Sequence, residues 1–190
     1  MGKVVIDMSM SLDGYINAPN ETPQTPLGEG GLRLHAWLED SEAFQQAYGD
    51  PNEALGAVIM GRTTYDNSLP WWNGKGPAGD TPCFVLTHEP PTEASDVFTF
   101  VTDGIESALE QARNVAGDKN IGLMGANTDQ QFLNSGLVDE IRIHLIPILL
   151  SQGTPLFANL KHDFELEKLK VVDSTSPAVT HLVYTINKTT

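Results

Sequence analysis

Gly61-Arg62-Thr63-Thr64 follows directly on the apolar run AVIM at 57–60. A strand that ends on a glycine and passes into a helix leaves the first helical N–H groups without partners, at a mouth that carries partial positive charge. Gly61 lets an anion approach the backbone, Thr63 and Thr64 add hydroxyl donors, and Arg62 adds a permanent charge on a planar fork. The chemistry on offer is phosphate binding; an ordinary strand–helix junction is the other reading of the same residues. Trp71 and Trp72 form a second feature, in the Pro/Gly-rich stretch PWWNGKGPAGDTP. Two adjacent indoles cannot both bury on one side of a strand. One is therefore free to stack on a flat heterocycle or to cover a site, with loop anchoring as the alternative.

Other chemistries are excluded by spacing. His35, His88, His144, His162 and His181 form no paired-histidine motif, and the single Cys83 cannot build a thiolate knuckle, so no metal site is expected. There is no G-x-S-x-G elbow, no GxGxxG and no GxxxxGK[ST]. The stretch GEGG at 28–31 follows a loop and not a strand.

The elements that must position these residues read as one domain over residues 1–190. Strands are expected at 3–11, 55–60, 82–87, 97–101, 119–124 and 138–146, with Pro147 suggesting an edge or a bulge. Helices are expected at 32–48, interrupted near Asp40-Ser41, from 61 to 67, at 105–115 with Ile105, Ala108, Leu109, Ala112 and Val115 on one stripe, and at 128–134. The alternating stretches 164–172 and 179–186, joined by DSTSPA, form an antiparallel hairpin. Residues 17–31 make a loop long enough to be a lid or a binding loop. Alternation of strand and helix followed by a hairpin predicts an α/β fold with a mixed sheet flanked by helices.

The bulk numbers narrow the function. The chain has 190 residues, 40% of them hydrophobic, and a formal net charge of −14. That length supports a substantial core, while such acidity repels nucleic acid and anionic membranes. The longest apolar run, around 145–150, is far too short to span a bilayer. The first residues, MGKVVIDMSM, carry an acidic residue inside the apolar run and read as a strand, not a signal peptide. With one cysteine and no intramolecular disulfide, a cytoplasmic protein is expected.

Three segments then line up: VVIDMSMSLDGYI at 4–16, VIMGRTTY at 58–65, and GLMGANTDQQFLNSGLVDEIRIHLIPILLSQGTPLF at 122–157. Together they resemble the dihydrofolate-reductase-like fold, and within it the C-terminal reductase-domain family of bacterial riboflavin biosynthesis. The likeness runs from about residue 3 to residue 187. It implies a mostly parallel central sheet with a C-terminal antiparallel hairpin, and an NADPH-dependent reductase of a pyrimidine, pteridine or related heterocycle. It further implies that the backbone near Ser9 and Ile16 holds the nicotinamide carboxamide. Gly61, Arg62, Thr63 and Thr64 would meet the pyrophosphate and the 2′-phosphate side. Thr87 and His88 would face the adenosine phosphate, and Gly125, Ala126, Asn127 and Thr128 would close on the pyrophosphate from a second helix mouth. The family usually carries Gly-Gly where this chain has Gly125-Ala126, which requires a negative φ at Ala126. His88 stands where many relatives have arginine, so the preference for NADPH over NADH rests chiefly on Arg62.

Reduction by hydride also needs a proton, best supplied by a carboxyl of raised pKa. Asp13, in SLDGYI, and Asp40, with Glu39 beside it, are the candidate acids; a turn-forming role and a helix cap are their alternatives. Trp37, Trp71 and Trp72 are the candidate substrate contacts. Riboflavin-pathway reduction of a phosphorylated ribosylaminopyrimidine is one rival, although only Arg33 and Lys75 lie near by sequence to take its phosphate. A non-catalytic nucleotide-binding or assembly module on the same fold is another. A homodimer is expected, burying an apolar strand such as 141–150 and the hairpin against a second copy.

Overall fold

The architecture is that of a computed structural model describing residues 2–175 and 178–187. β1 (Val4–Ser11), β3 (Leu55–Gly61), β6 (Asn120–Met124) and β7 (Glu140–Ile146) are apolar over most of their length and largely buried. Near-continuous apolar strands belong in a parallel sheet covered on both faces. With β4 (Cys83–Leu86), β5 (Phe98–Val101), β9 (Leu166–Thr175) and β10 (Ala178–Ile186), they form one sheet in the order β5-β4-β3-β6-β1-β7-β10-β9. The strands from β5 to β7 run parallel, β10 is antiparallel to β7, and β9 is antiparallel to β10. The predicted mixed sheet with a C-terminal hairpin is what forms; residues 176–177 of the connecting DSTSPA lie outside the described residues. A separate two-stranded ribbon pairs β2 (Tyr15–Asn17) with β8 (Thr154–Pro155).

α3 (Ile105–Ala116) and α4 (Ala126–Asn134) cover one face, packing Ala108, Leu109, Ala112, Phe132 and Leu133 on Ile6, Ile59, Leu123 and Ile143. The α3 stripe closes with Ala116 and not with Val115, which is 53% exposed, because the helix keeps its four-residue step from Ala112. On the other face, α2 (Arg62–Ser68) places Tyr65 against Val58, Met60, Val85 and Phe98. Further along that face, Leu34, Trp37 and Ala43 pack on Ile146 and Val179. Between these apolar clusters runs a polar band. Lys3 Nζ lies 2.8 Å from Glu140 and 3.1 Å from Glu53, and Arg142 bonds both carboxylates. Burial opposes ionisation of Glu53, but Arg142 and Lys3 outweigh it and hold the carboxyl below its usual range.

The expected interruption of 32–48 falls at Asp40, which takes extended backbone and starts α1 (Ser41–Tyr48) as its cap; the first half, Gly31–Glu39, is a 3-10 helix. Two expectations are corrected. β7 lies between β1 and β10 and offers no edge to a partner; it ends at Ile146, so Pro147 falls just beyond the ladder. α4 begins two residues before the predicted start, at Ala126. Among the described residues, no helix is long and apolar enough to cross a membrane.

Candidate functional site

The chain leaves β3 for β4 and β5 on one side, and β6 returns on the other. That reversal opens a crevice beyond the carboxyl ends of the strands, where open α/β sheets bind ligands. Here it holds a cleft of about 680 Å³. Three helices start on it, each headed by glycine: α2 after Gly61, α3 after Gly104 and α4 after Gly125. None of the three has a side-chain cap. α1 is the contrast, since Asp40 satisfies the N–H groups of Glu42 and Ala43. The open N–H groups of α2, α3 and α4 are left for water or for an anion in the cleft.

Two of the mouths interlock. Gly125 has φ +98, and a Cβ placed there would lie 2.4 Å from Thr64 Oγ1. Across the same junction, a Cβ on Gly61 would lie 3.3 Å from Thr128 Oγ1. Each glycine thus lets the other helix's threonine approach, which joins the mouths of α2 and α4 into one surface. Ala126 is the first residue of α4, in helical backbone, so alanine in place of a second glycine introduces no strain.

Gly61, Arg62, Thr63, Thr64, Thr87, His88, Gly125, Ala126, Asn127, Thr128 and Ile16 all line this cleft. Ser9 does not: it is buried beneath Trp37, whose indole Nε1 donates to its hydroxyl at 2.9 Å. The third mouth, at Thr102, Gly104 and Ile105, was missed from sequence. Its signal is the one read at 57–64: an apolar strand, FTFV, then a glycine opening an amphipathic helix. Glu21 and Thr154 also enter unpredicted and bond to each other across the cleft rim.

Positive charge is scarce. Arg62 is the one lysine or arginine among the described lining residues. Its Nε donates to Asp66 at 2.8 Å and its Nη1 donates to the Glu89 carbonyl. That carbonyl also accepts from the Thr87 hydroxyl at 3.1 Å. The guanidinium is therefore fixed against the wall before any ligand arrives.

Both candidate acids are engaged in structural hydrogen bonds. Asp13 accepts from the Ser11 hydroxyl at 2.6 Å and from the backbone of Ser151 and Leu150 at 2.7 and 3.1 Å. The Ser11 bond, with the two backbone bonds, holds its carboxyl below the usual range and makes it a poor proton donor. Asp40 caps α1, and neither residue lines the cleft. The tryptophans also have partners within the fold. Trp37 is 1% exposed and packs its ring on His144 at 4.4 Å and Tyr48 at 5.8 Å. Trp72 stacks on Phe98 at 6.2 Å. Trp71 is 51% exposed, but its indole N–H is bonded to the Pro23 carbonyl at 3.0 Å, strapping its loop to 17–31. Loop anchoring is what the Trp71-Trp72 pair does.

A buried polar chain also escaped the sequence reading. His144 Nε2 lies 2.8 Å from Asp7 Oδ1, and His144 Nδ1 lies 2.7 Å from His181 Nδ1. Burial first, and then the His144 ring, push His181 down to about 4. Only the register of three strands joins these residues: Ser9 pairs with His144 and His144 with His181 across the sheet, placing Asp7 on the same face. His144 and His181 pack against Trp37, Asp7 stays partly exposed, and none of the three lines the cleft.

Comparison with known proteins agrees with this fold. YwjB of Bacillus subtilis (strain 168) is 27% identical over 165 residues, covering 86% of this chain and 87% of that protein. YyaP of the same organism is 25% identical over 196 residues, with 96% and 94% covered. Among solved structures, a putative riboflavin biosynthesis protein from Shewanella sp. PV-4 superposes with a TM-score of 0.75 at 25% identity, covering 98% of this chain and 99% of the other. A dihydrofolate reductase from Enterococcus faecalis, complexed with NADP(H), shares the fold at a TM-score of 0.63 and 17% identity, with 98% of each chain covered. The family model described as the RibD C-terminal domain matches residues 2–179. The chain belongs to the RibD C-terminal-domain family, on the dihydrofolate-reductase-like fold.

Proposed function

We propose that this protein is an NADPH-dependent reductase that transfers hydride to a small heterocycle of the pyrimidine or pteridine kind. The observation that supports it most is the convergence of three uncapped, glycine-headed helix mouths on one cleft. The donor set fits a dinucleotide. Oriented N–H groups and the hydroxyls of Thr63, Thr64 and Thr128 suit a diphosphate, and the fixed Arg62 suits a 2′-phosphate. Ile16, Leu86, Val101 and Ile105 give apolar walls for flat rings. The bound reduced nicotinamide supplies the hydride. The chain's own part is to hold the phosphates without flexible charges, orient the ring against Ile16, and exclude water from the apolar wall.

Titration with NADPH and with NADH, followed by tryptophan quenching and energy transfer to the reduced nicotinamide, tests the reading. Saturable binding in the micromolar range with NADPH preferred is expected; no binding of either overturns it. The roles found for Asp13 and Asp40 favour one rival, a nucleotide-binding module without the reaction, because they remove both predicted acids from the cleft. Consumption of bound NADPH with reducible pyrimidines and pteridines separates the two. The same proposal pairs two copies in a cytoplasmic homodimer through β9, the edge strand where Leu169 and Val171 stand exposed, and light scattering on the purified protein tests it by mass.

A further inference from the structure

The cleft does not stop at the α4 mouth. A second hollow of about 410 Å³ opens beside it over α4, and Ile105, Asn127 and Gln131 line both. Lys161 stands on its far wall, and none of its lining residues is acidic, in a chain with 25 Asp and Glu. An anionic ligand can extend from the cleft into this hollow without meeting a carboxylate on its walls.

The side-chain amides of the hollow divide into two groups. Gln130 donates to the Leu156 carbonyl at 2.8 Å and accepts from Asn159 at 2.9 Å, and Asn134 donates to the Asn159 carbonyl at 2.9 Å. These three are spent on holding α4 to the segment 156–159. Asn127 and Gln131 are exposed, one turn apart on α4. Among the described residues their side chains bond only to each other, Gln131 Nε2 donating to Asn127 Oδ1 at 2.6 Å. That bond uses one N–H of the Gln131 amide and fixes which way the amide faces. A second N–H and the carbonyl remain, a planar donor–acceptor pair. Asp129, between the two in sequence, is buried on the core side of the helix with neither carboxyl oxygen bonded, and it lines neither hollow.

The place of this pair along the cleft selects its ligand. The cleft runs from Ile16, beyond β1, to Thr102 and Ile105, beyond β5, a distance of four strand spacings or about 19 Å. Thr87 donates its backbone N–H to the Val101 carbonyl at 3.0 Å, so the residue expected to face the adenosine phosphate stands at the Ile105 end. With the nicotinamide at Ile16, the base falls to Ile105 and the α4 amides. Ile105 gives a flat ring its apolar wall. Adenine offers an amino donor beside a ring-nitrogen acceptor, the complement of a glutamine amide. We propose that Gln131, oriented by Asn127, reads the adenine base of the dinucleotide and is a specificity-determining residue of the cleft. The inference deepens the dinucleotide reading and rests on it.

Hypoxanthine carries a carbonyl where adenine carries the amine, so it turns an acceptor toward the Gln131 carbonyl. Calorimetric titration of the wild type, Gln131→Leu and Asn127→Ala tests the proposal with three probes: NADPH, its hypoxanthine analogue, and adenosine 2′,5′-bisphosphate. The wild type is expected to bind NADPH at least about five-fold more tightly than the analogue. Gln131→Leu is expected to lose about five-fold on NADPH and on the bisphosphate alike, and to bind the two dinucleotides within about two-fold of each other. Asn127→Ala, which frees the amide to turn, should at least halve the wild-type discrimination; unchanged discrimination overturns its orienting role. If the wild type binds both dinucleotides equally, or Gln131→Leu keeps the preference, the base reading is overturned while the dinucleotide site stands. A loss on NADPH with none on the bisphosphate puts the effect outside the adenosine half and also overturns it. If the wild type binds neither NADPH nor the bisphosphate, the dinucleotide reading fails and the base reading with it.

Discussion

At the scale of single residues, commitment decides role. Arg62 is held by Asp66 and the Glu89 carbonyl at the edge of the cleft, so its charge is positioned and its entropy already lost. Arg62→Ala should therefore weaken NADPH by about ten-fold and NADH by less than about two-fold, read by calorimetry. Equal losses would remove its assignment to the 2′-phosphate. Asp40 is committed to the Glu42 and Ala43 amides. Asp40→Ala should cost about 1 kcal/mol in urea unfolding and leave cofactor affinity unchanged, as a cap and not an acid. Asp129 is the opposite case, a carboxyl committed to nothing. Its folded-state pKa lies above the ordinary 3.8, so the folded state holds the proton after the unfolded chain has released it. Below about pH 4 this carries no penalty; as pH rises toward the folded-state pKa, stability falls. Urea midpoints across pH should show wild type losing ground to Asp129→Leu as pH rises above about 4. Parallel curves for the two proteins would contradict an un-ionised Asp129.

At the scale of elements, the site is a junction between helix starts. The positive φ of Gly125 and the close approach of Thr64 both exclude a side chain there. Gly61 has φ −84 and only the hydroxyl of Thr128 nearby, at 3.3 Å. Gly125→Ala should thus destabilise the fold by about 2 kcal/mol and disrupt cofactor binding, while Gly61→Ala should change stability by less than about 1 kcal/mol. Thermal unfolding with and without NADPH distinguishes them. Comparable effects would mean that the two mouths do not interlock as described. α1, α2, α3 and α4 also show how caps mark function. The helix far from the cleft is closed by an aspartate; the three that open on it are headed by glycine, which gives access and satisfies nothing.

At the scale of the whole molecule, a net charge of −14 surrounds a cleft whose only described lysine or arginine is Arg62. An anionic dinucleotide approaches against the long-range field and is held by short-range N–H groups once inside. Salt screens the first far more than the second. Raising ionic strength from about 20 to about 200 mM should therefore speed NADPH association, by about two-fold or more, with little change in dissociation. Stopped-flow energy transfer reads both rates. Slower association with added salt would show that local positive potential outweighs the net charge.

The sequence by itself determined much of this. Apolar runs ending in glycine located the cleft-forming turns at 57–64 and 122–128, and the alternation of strands and helices gave the sheet, because backbone pattern and turn chemistry are local properties. Most of the predicted dinucleotide contacts lie together in the cleft for the same reason: they sit on those turns. What only the tertiary structure decided concerns side chains whose meaning depends on distant partners. Asp13 is a loop clamp because Leu150 and Ser151 come to it, and Trp37 is core because His144 and His181 pack beneath it. Asp7, His144 and His181 meet only through strand register. Asp129 resembles any polar residue in a helix's first turn until the packing buries it without a partner, and no local pattern in the chain carries that information.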